Sequence, residues 1–254
     1  RVRPLADGNL YLTPHFYSPL GLFYNKSLFA DKGWELPNTW DEFFALADKA
    51  KAEGIATFTY PTAGYFDGFF SSLLNSLVGP EVYNKLMAYD LDAWKTDEVK
   101  AAFELVGKIA EYTHENTVAQ ANGEGFQKNQ LLVMENEALF VPNGTWLPGE
   151  MAGALEDGLE GNVDPNFAWG LAPIPASDLG NKYSSTFTEE AFIPAGAKNV
   201  DNAKLFLSFM YTDKAAKLFY ENGGAVQPIV GSDSIIPKDD DNQIYYGIYN
   251  DGVK

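Results

Sequence analysis

The sequence predicts an α/β fold with a largely parallel sheet, and three observations carry that expectation. Short apolar or alternating runs, read as strands, are interleaved with longer stretches whose apolar residues recur every three to four positions, read as helices. The 254 residues are 46% apolar, enough to bury a sizeable core. No internal repeat and no low-complexity linker interrupts the alternation, so no domain boundary shows as a shift in composition.

The elements follow in order. Asp7-Gly8-Asn9 is a turn signal before the apolar stretch Leu10-Tyr11-Leu12, and 20–24 reads as a strand ending at Asn25-Lys26. In Pro37-Asn38-Thr39-Trp40-Asp41-Glu42, Thr39 is the N-cap of a helix and Glu42 its capping-box partner. Trp40, Phe43, Phe44, Ala47 and Ala50 share one face, and Gly54 closes that helix. Residues 55–60 alternate β-branched and aromatic types, which predicts a short strand. Helical patterns recur at 69–77, 81–88 and 97–112, the last with a buried stripe of Val99, Phe103, Val106, Ile109 and Ala110. A helix at 126–134 precedes a strand at 138–141 and a further helix at 146–155. Strands at 168–174 and 187–193 flank a polar loop through 177–185, and helices follow at 201–210 and 213–221. Beyond Val230 the chain turns acidic and then aromatic at Tyr245, Tyr246 and Tyr249.

Composition removes several function classes. A net charge of −17 disfavours a broad nucleic-acid or anionic-membrane surface. The absence of cysteine excludes a disulfide framework, a thiolate metal site and a thiol nucleophile. No run of eighteen apolar residues predicts a membrane-spanning helix. The opening residues contain no Met, so the chain reads as the interior of a longer protein, with no secretory signal expected within it.

Catalytic signatures are sparse. The two histidines, His15 and His114, lack metal-ligand spacing, and His114 reads as an imidazole at the carbonyl end of the 97–112 helix. No nucleophile elbow, phosphate loop or dinucleotide fingerprint occurs. Asp239-Asp240-Asp241-Asn242 lacks the glycine and terminal glutamate of a calcium loop and reads as a solvated charge run. On a strand, the adjacent Glu189 and Glu190 point to opposite faces and cannot serve together as an acid and its partner. Either one of them faces a cleft as a hydroxyl acceptor or both are solvated. No metal or other cofactor is expected. The aromatic share, 15% of the chain, is compatible either with core packing or with faces that stack on sugar rings.

Four segments in order carry a resemblance. They are Asp7-Gly8-Asn9-Leu10-Tyr11 through Gly21-Leu22-Phe23-Tyr24-Asn25-Lys26-Ser27-Leu28-Phe29, then Pro37-Asn38-Thr39-Trp40-Asp41-Glu42, then Leu139-Phe140-Val141-Pro142-Asn143-Gly144-Thr145-Trp146, and finally Ala191-Phe192-Ile193-Pro194-Ala195-Gly196-Ala197-Lys198-Asn199. Together they resemble the family 1 extracellular solute-binding proteins, the carbohydrate-binding components of bacterial ABC importers, to which maltose-binding protein belongs. Two short stretches, Gly144-Thr145-Trp146-Leu147-Pro148-Gly149-Glu150-Met151 and Thr57-Phe58-Thr59-Tyr60, are similar to the branch associated with N-acetylglucosamine and chitobiose uptake.

The resemblance implies a periplasmic-binding-protein-like fold of two α/β lobes that hold ligand in a cleft and close around it. One lobe is expected nearly complete and the other partial, because the family's opening βαβ segment, lipoprotein signal and C-terminal helices have no counterpart here. Residues 1–11 would end lobe 1 and begin the first crossing, 12–182 form lobe 2, 183–226 form part of lobe 1, and 227–254 return to lobe 2. The missing segments are expected to have been removed or supplied separately.

By position, Tyr65 and Phe66 resemble the family's sugar-stacking aromatic segment, with Tyr60 a competitor for that role. Trp146 resembles the cleft tryptophan, its alternative being a core residue beneath a helix start. His15, Phe16 and Tyr17 fall at the first crossing, and Glu189 and Glu190 near the second. The implied function is a non-catalytic, exported binding protein at the outer face of the cell membrane or in the periplasm. Its partners would be a carbohydrate and the importer's permease subunits, with no nucleic acid, and membrane contact only through an anchor absent from this chain. The rivals are a glycoside hydrolase, which needs two carboxylates across a cleft, and an interaction module with no small ligand.

Overall fold

The computed structural model describes residues 8–121, 123, 125–176, 185–223, 226–229, 231–238, 240 and 242–251. Most of the 177–185 loop, the expected boundary at 182–183, and Asp239 and Asp241 of the acidic run lie outside them. Two compact units emerge: Leu20–Ser185 with Ile248–Lys254, and Arg1–Pro19 with Thr186–Gly247.

The larger unit begins in the second half of strand β1 (Thr13–Asn25). Its order continues with α1 (Lys26–Lys32), α2 (Trp40–Ala52), β2 (Ala56–Phe58), α3 (Ala63–Met87), α4 (Asp97–Ala110), α5 (Thr117–Gln120), α6 (Phe126–Met134), β3 (Ala138–Gly144), α7 (Leu147–Glu156) and β4 (Trp169–Ala172). The strands lie in the order β2-β3-β1-β4. The sheet is mixed, which corrects the largely parallel expectation: β2 and β3 are parallel, whereas β1 runs antiparallel to β3 and β4. Alternation of strands and helices fixes direction only where a helical crossover joins neighbours, as α3 to α6 join β2 to β3. The neighbours of β1 come from far along the chain and take the opposite sense.

Local chemistry explains the helices. Thr39 caps α2, its hydroxyl accepting from the Glu42 N–H at 3.2 Å. The Glu42 carboxylate reaches back to the Asn38 N–H at 2.7 Å, one residue earlier than in a standard capping box. The apolar face of α2 is buried as expected and packs Phe43 on Phe140, with ring centroids 5.8 Å apart. Helix α3 starts at Ala63, six residues before its expected start, and joins the two expected helices across a kink. Gly79, at φ 75°, takes the turn that the following Pro80 imposes. The buried stripe of α4 needs correction: Val99, Ala102 and Ile109 are buried, whereas Phe103 is 54% exposed and Ala110 is exposed. Phe103 sits at the rim, where its ring meets Phe70 at 5.2 Å.

Asn25 ties β1 to its surroundings. Its side-chain oxygen accepts from Ser27 N–H at 3.0 Å, capping α1, and from Ala168 N–H at 3.2 Å. Its amide donates to Asn136 at 2.8 Å and to Asp164 at 3.1 Å, and Asn136 donates to the same Asp164 oxygen at 2.9 Å. The Asn136 amide first, then the Asn166 N–H at 2.8 Å and the Asn25 amide, hold the Asp164 carboxyl below its ordinary value.

The smaller unit pairs Thr13–Pro19 of β1 antiparallel with β5 (Thr186–Ala191), with a register shift between Pro14 and Phe16. Helices α8 (Val200–Met210), α9 (Asp213–Gly223) and α10 (Asn242–Asp251) follow, the last running past the unit's end at Gly247. Its buried cluster is small: Val226, Ile236 and Tyr246, with Tyr17, Tyr220 and Ile235 against them. Large apolar side chains remain exposed on this unit, including Leu205 at 70%, Phe206 at 60%, Phe209 and Leu218.

Candidate functional site

Within the larger unit, the first turn of α3 and the β3–α7 junction bring Tyr65 and Trp146 together. Their ring centroids lie 6.0 Å apart at 45°, and both side chains are half-buried. Trp146 owes its position to Gly144, the last residue of β3. A Cβ at Gly144 would stand 2.3–2.7 Å from three atoms of the indole ring, so only glycine lets the ring lie over that backbone. The Gly-x-Trp spacing therefore has a packing cause.

Burial is the main influence raising the ionisation of the Tyr65 hydroxyl above its ordinary value. A hydrogen bond with Trp146 opposes that rise, and the nearby charge of Glu150 adds to it. The hydroxyl is therefore protonated at neutral pH.

Behind this pair lies a chain of amides. Asn143 and Gln130 are 1% and 0% exposed. Asn143 donates to the Gln130 side-chain oxygen at 2.8 Å, and Gln130 donates to Glu150 Oε1 at 2.6 Å. Glu150 sits in the first turn of α7, half-buried, where its charge complements the helix dipole. These three residues were missed by sequence reasoning. The one local signal is a pair of buried amides, Asn129 and Gln130, directly before the buried run Leu131–Met134 of helix α6.

Phe66 is placed differently from Tyr65. It packs on the core cluster with Tyr60 at 5.3 Å and Phe69 at 5.9 Å, backing the turn that carries Tyr65. The remaining candidates lie in the smaller unit. His15 sits at the register shift of β1, edge-on to Phe219 at 4.8 Å and Phe16 at 5.6 Å, and its buried Nε2 has no hydrogen-bond partner among the described residues. Tyr17 stacks edge-on against Tyr246 at 5.3 Å and donates its N–H to Val226 at 3.1 Å. Glu189 and Glu190 are both exposed on β5.

His114 needs a revised reading: α4 ends at Ala110, and the His114 N–H donates to Phe58 at 2.9 Å. Its imidazole lies 3.5 Å from the Glu137 carboxylate, a structural pairing beside β2 and β3. Trp40 is buried in the core, and Trp169 meets Phe23 and Phe167 edge-on. Among the described residues no group of three or more His, Asp or Glu is gathered as for a metal, and no helix is long and apolar enough to cross a membrane.

The fold agrees with the comparisons. The profile of the family described as bacterial extracellular solute-binding protein matches residues 2–217. The chain belongs to that family, which is one of binding proteins rather than enzymes. Among curated relatives, the multiple sugar-binding protein of Streptococcus mutans is 27% identical over 236 residues, covering 89% of this chain and 53% of the relative. The diacetylchitobiose binding protein NgcE of Streptomyces coelicolor is 26% identical over 212 residues, covering 78% and 42%. This chain thus spans about half the length of these relatives. Among solved structures, apo RafE from Streptococcus pneumoniae superposes with a TM-score of 0.72 at 21% identity, covering 96% of this chain and 60% of that one. The GacH receptor of Streptomyces glaucescens gives 0.70 at 18% identity, covering 97% and 61%. At these identities the likeness establishes the fold.

Proposed function

We propose that this chain is part of the sugar-binding component of a bacterial ABC importer, exported to the outer face of the cell membrane or the periplasm. In this reading Tyr65 and Trp146 stack on a saccharide ring through its exposed C–H faces, and the saccharide leaves chemically unchanged. The observation that carries it is the half-buried aromatic pair seated on Gly144, at the segment that resembles the family's cleft tryptophan. Family membership and relatives named for sugar binding support the same reading. A diacetylchitobiose-binding relative and a structural neighbour described as a chitin oligosaccharide binding protein favour an amino-sugar oligosaccharide as ligand.

The larger unit is taken as one lobe of the family's fold and the smaller as part of the other. His15, Phe16, Tyr17, Glu189 and Glu190 stand as the smaller unit's candidate contacts, and the permease subunits as the protein partner. Two or three stacking contacts plus polar ones reach micromolar affinity, about −8 kcal/mol.

Titrating the intact protein with N,N′-diacetylchitobiose, raffinose and maltose tests this by calorimetry. Saturable binding without turnover is expected. Release of free monosaccharide would replace the binder with a hydrolase.

A further inference from the structure

We infer that Glu150 is a ligand-contacting hydroxyl acceptor beside Tyr65 and Trp146, and that Gln130 and Asn143 are positioning residues that fix its carboxylate. The inference rests on the sugar-binding reading above and adds a polar determinant to it.

Hydrogen-bond direction fixes how each amide is turned. The backbone N–H of Gly144 can only donate, and it donates to Asn143 Oδ1 at 2.8 Å. Asn143 must therefore present its NH2, which it gives to Gln130 Oε1 at 2.8 Å. Gln130 is left presenting its own NH2, which goes to Glu150 Oε1 at 2.6 Å and lies 3.1 Å from Met151 Sδ. Each amide has one orientation that satisfies its neighbours, and the sequence of donors ends on a group that only accepts when ionised. A buried glutamine held from both ends cannot swing, so the carboxylate it grips is fixed as well.

The second carboxylate oxygen has no hydrogen-bond partner among the described residues. It lies on a half-buried side chain one helical turn from Trp146, whose carbonyl accepts the Glu150 N–H at 3.0 Å, and the charge of Glu150 acts on the Tyr65 hydroxyl. An anionic acceptor carried one helical turn from an aromatic pair suits a ring that carries hydroxyl or amide donors around an apolar face. Hydrogen bonds to a carboxylate are stronger than neutral ones, so such an acceptor discriminates between ligands by the donor it meets. Structural duty alone does not require the arrangement: apolar residues at 130 and 143 and a neutral one at 150 would pack without burying two amides and half-burying a charge.

The test is a double-mutant cycle on the intact protein, titrated with the tightest binder among N,N′-diacetylchitobiose, raffinose and maltose. Glu150→Gln retains an acceptor for Gln130 but removes the charge, and it should weaken binding at least ~10-fold, as loss of a charge-assisted bond implies. Gln130→Met, of similar volume, should weaken binding comparably and add little on top of Glu150→Gln. A purely structural amide would instead give additive losses. If Gln130→Met does not fold, Glu150→Gln decides alone. Affinity within twofold of the unsubstituted protein in Glu150→Gln overturns this inference and leaves the stacking reading intact. Failure of the unsubstituted protein to bind any saccharide overturns both.

Discussion

At the scale of single residues, the candidate site depends on a glycine as much as on its aromatics. With ring atoms of Trp146 2.3–2.7 Å from where a Cβ of residue 144 would stand, Gly144→Ala must push the indole aside. The expected result is a red-shifted, more exposed tryptophan emission and binding weakened by about tenfold, equal to ~1.4 kcal/mol, with the secondary structure retained by circular dichroism. Unchanged emission and affinity would show that the ring does not need that backbone. Tyr65 and Trp146 are legible as candidates because each sits in a short segment that resembles a family motif, and the structure brings their rings together. Glu150, Gln130 and Asn143 are not, because their bonds join positions 20 and 13 apart and the one local mark, the adjacent amides Asn129 and Gln130, names no partner.

Elements were legible where their determinants are local. The Thr39 cap and the apolar face of α2 are written within a dozen residues, and α6 begins and ends where its pattern does. Strand β1 was harder: Pro14, Pro19 and Gly21 break its alternation, yet it runs unbroken for 13 residues because its partners come from other parts of the chain. The Asn25 network that anchors it makes a prediction. Asn25→Ala removes the α1 cap and two amide donors at once, so stability should fall by about 2–3 kcal/mol in urea denaturation. A loss under ~0.5 kcal/mol would mean that water replaces the amide without penalty.

In the smaller unit, α9 and the start of α10 meet through Tyr220, whose hydroxyl donates to Asp240. Burial first, and that bond second, push the Tyr220 ionisation up to about 12 from its ordinary 10.0. Its contribution to stability is therefore complete below about pH 10 and is lost as pH rises through about 12. Tyr220→Phe should flatten the alkaline decline of the melting temperature across that window, and an unchanged decline would assign it to other groups.

For the molecule as a whole, the two units differ in how well each closes its core. The larger buries a continuous cluster from Leu22 through Ile174 and exposes Tyr89, Leu91 and Val118, whereas the smaller leaves Leu205, Phe206, Phe209 and Leu218 in solvent around a small buried cluster. Exposed apolar surface of that kind promotes association. Expressed as these 254 residues, the chain should bind a hydrophobic dye such as ANS and self-associate, and a Leu205→Lys, Phe206→Lys double substitution should reduce both. Equal dye binding before and after substitution would place the sticky surface elsewhere. Strand direction was invisible in the sequence because it depends on which distant segments pair.

The central claim is that an aromatic pair on the larger unit grips a sugar. Calorimetric titration of the intact protein and its Trp146→Ala variant with N,N′-diacetylchitobiose, raffinose and maltose tests it most directly. The account predicts micromolar binding of at least one saccharide and a loss of ~30-fold or more, about 2 kcal/mol, on removing the indole. Equal affinity in the two proteins would contradict it.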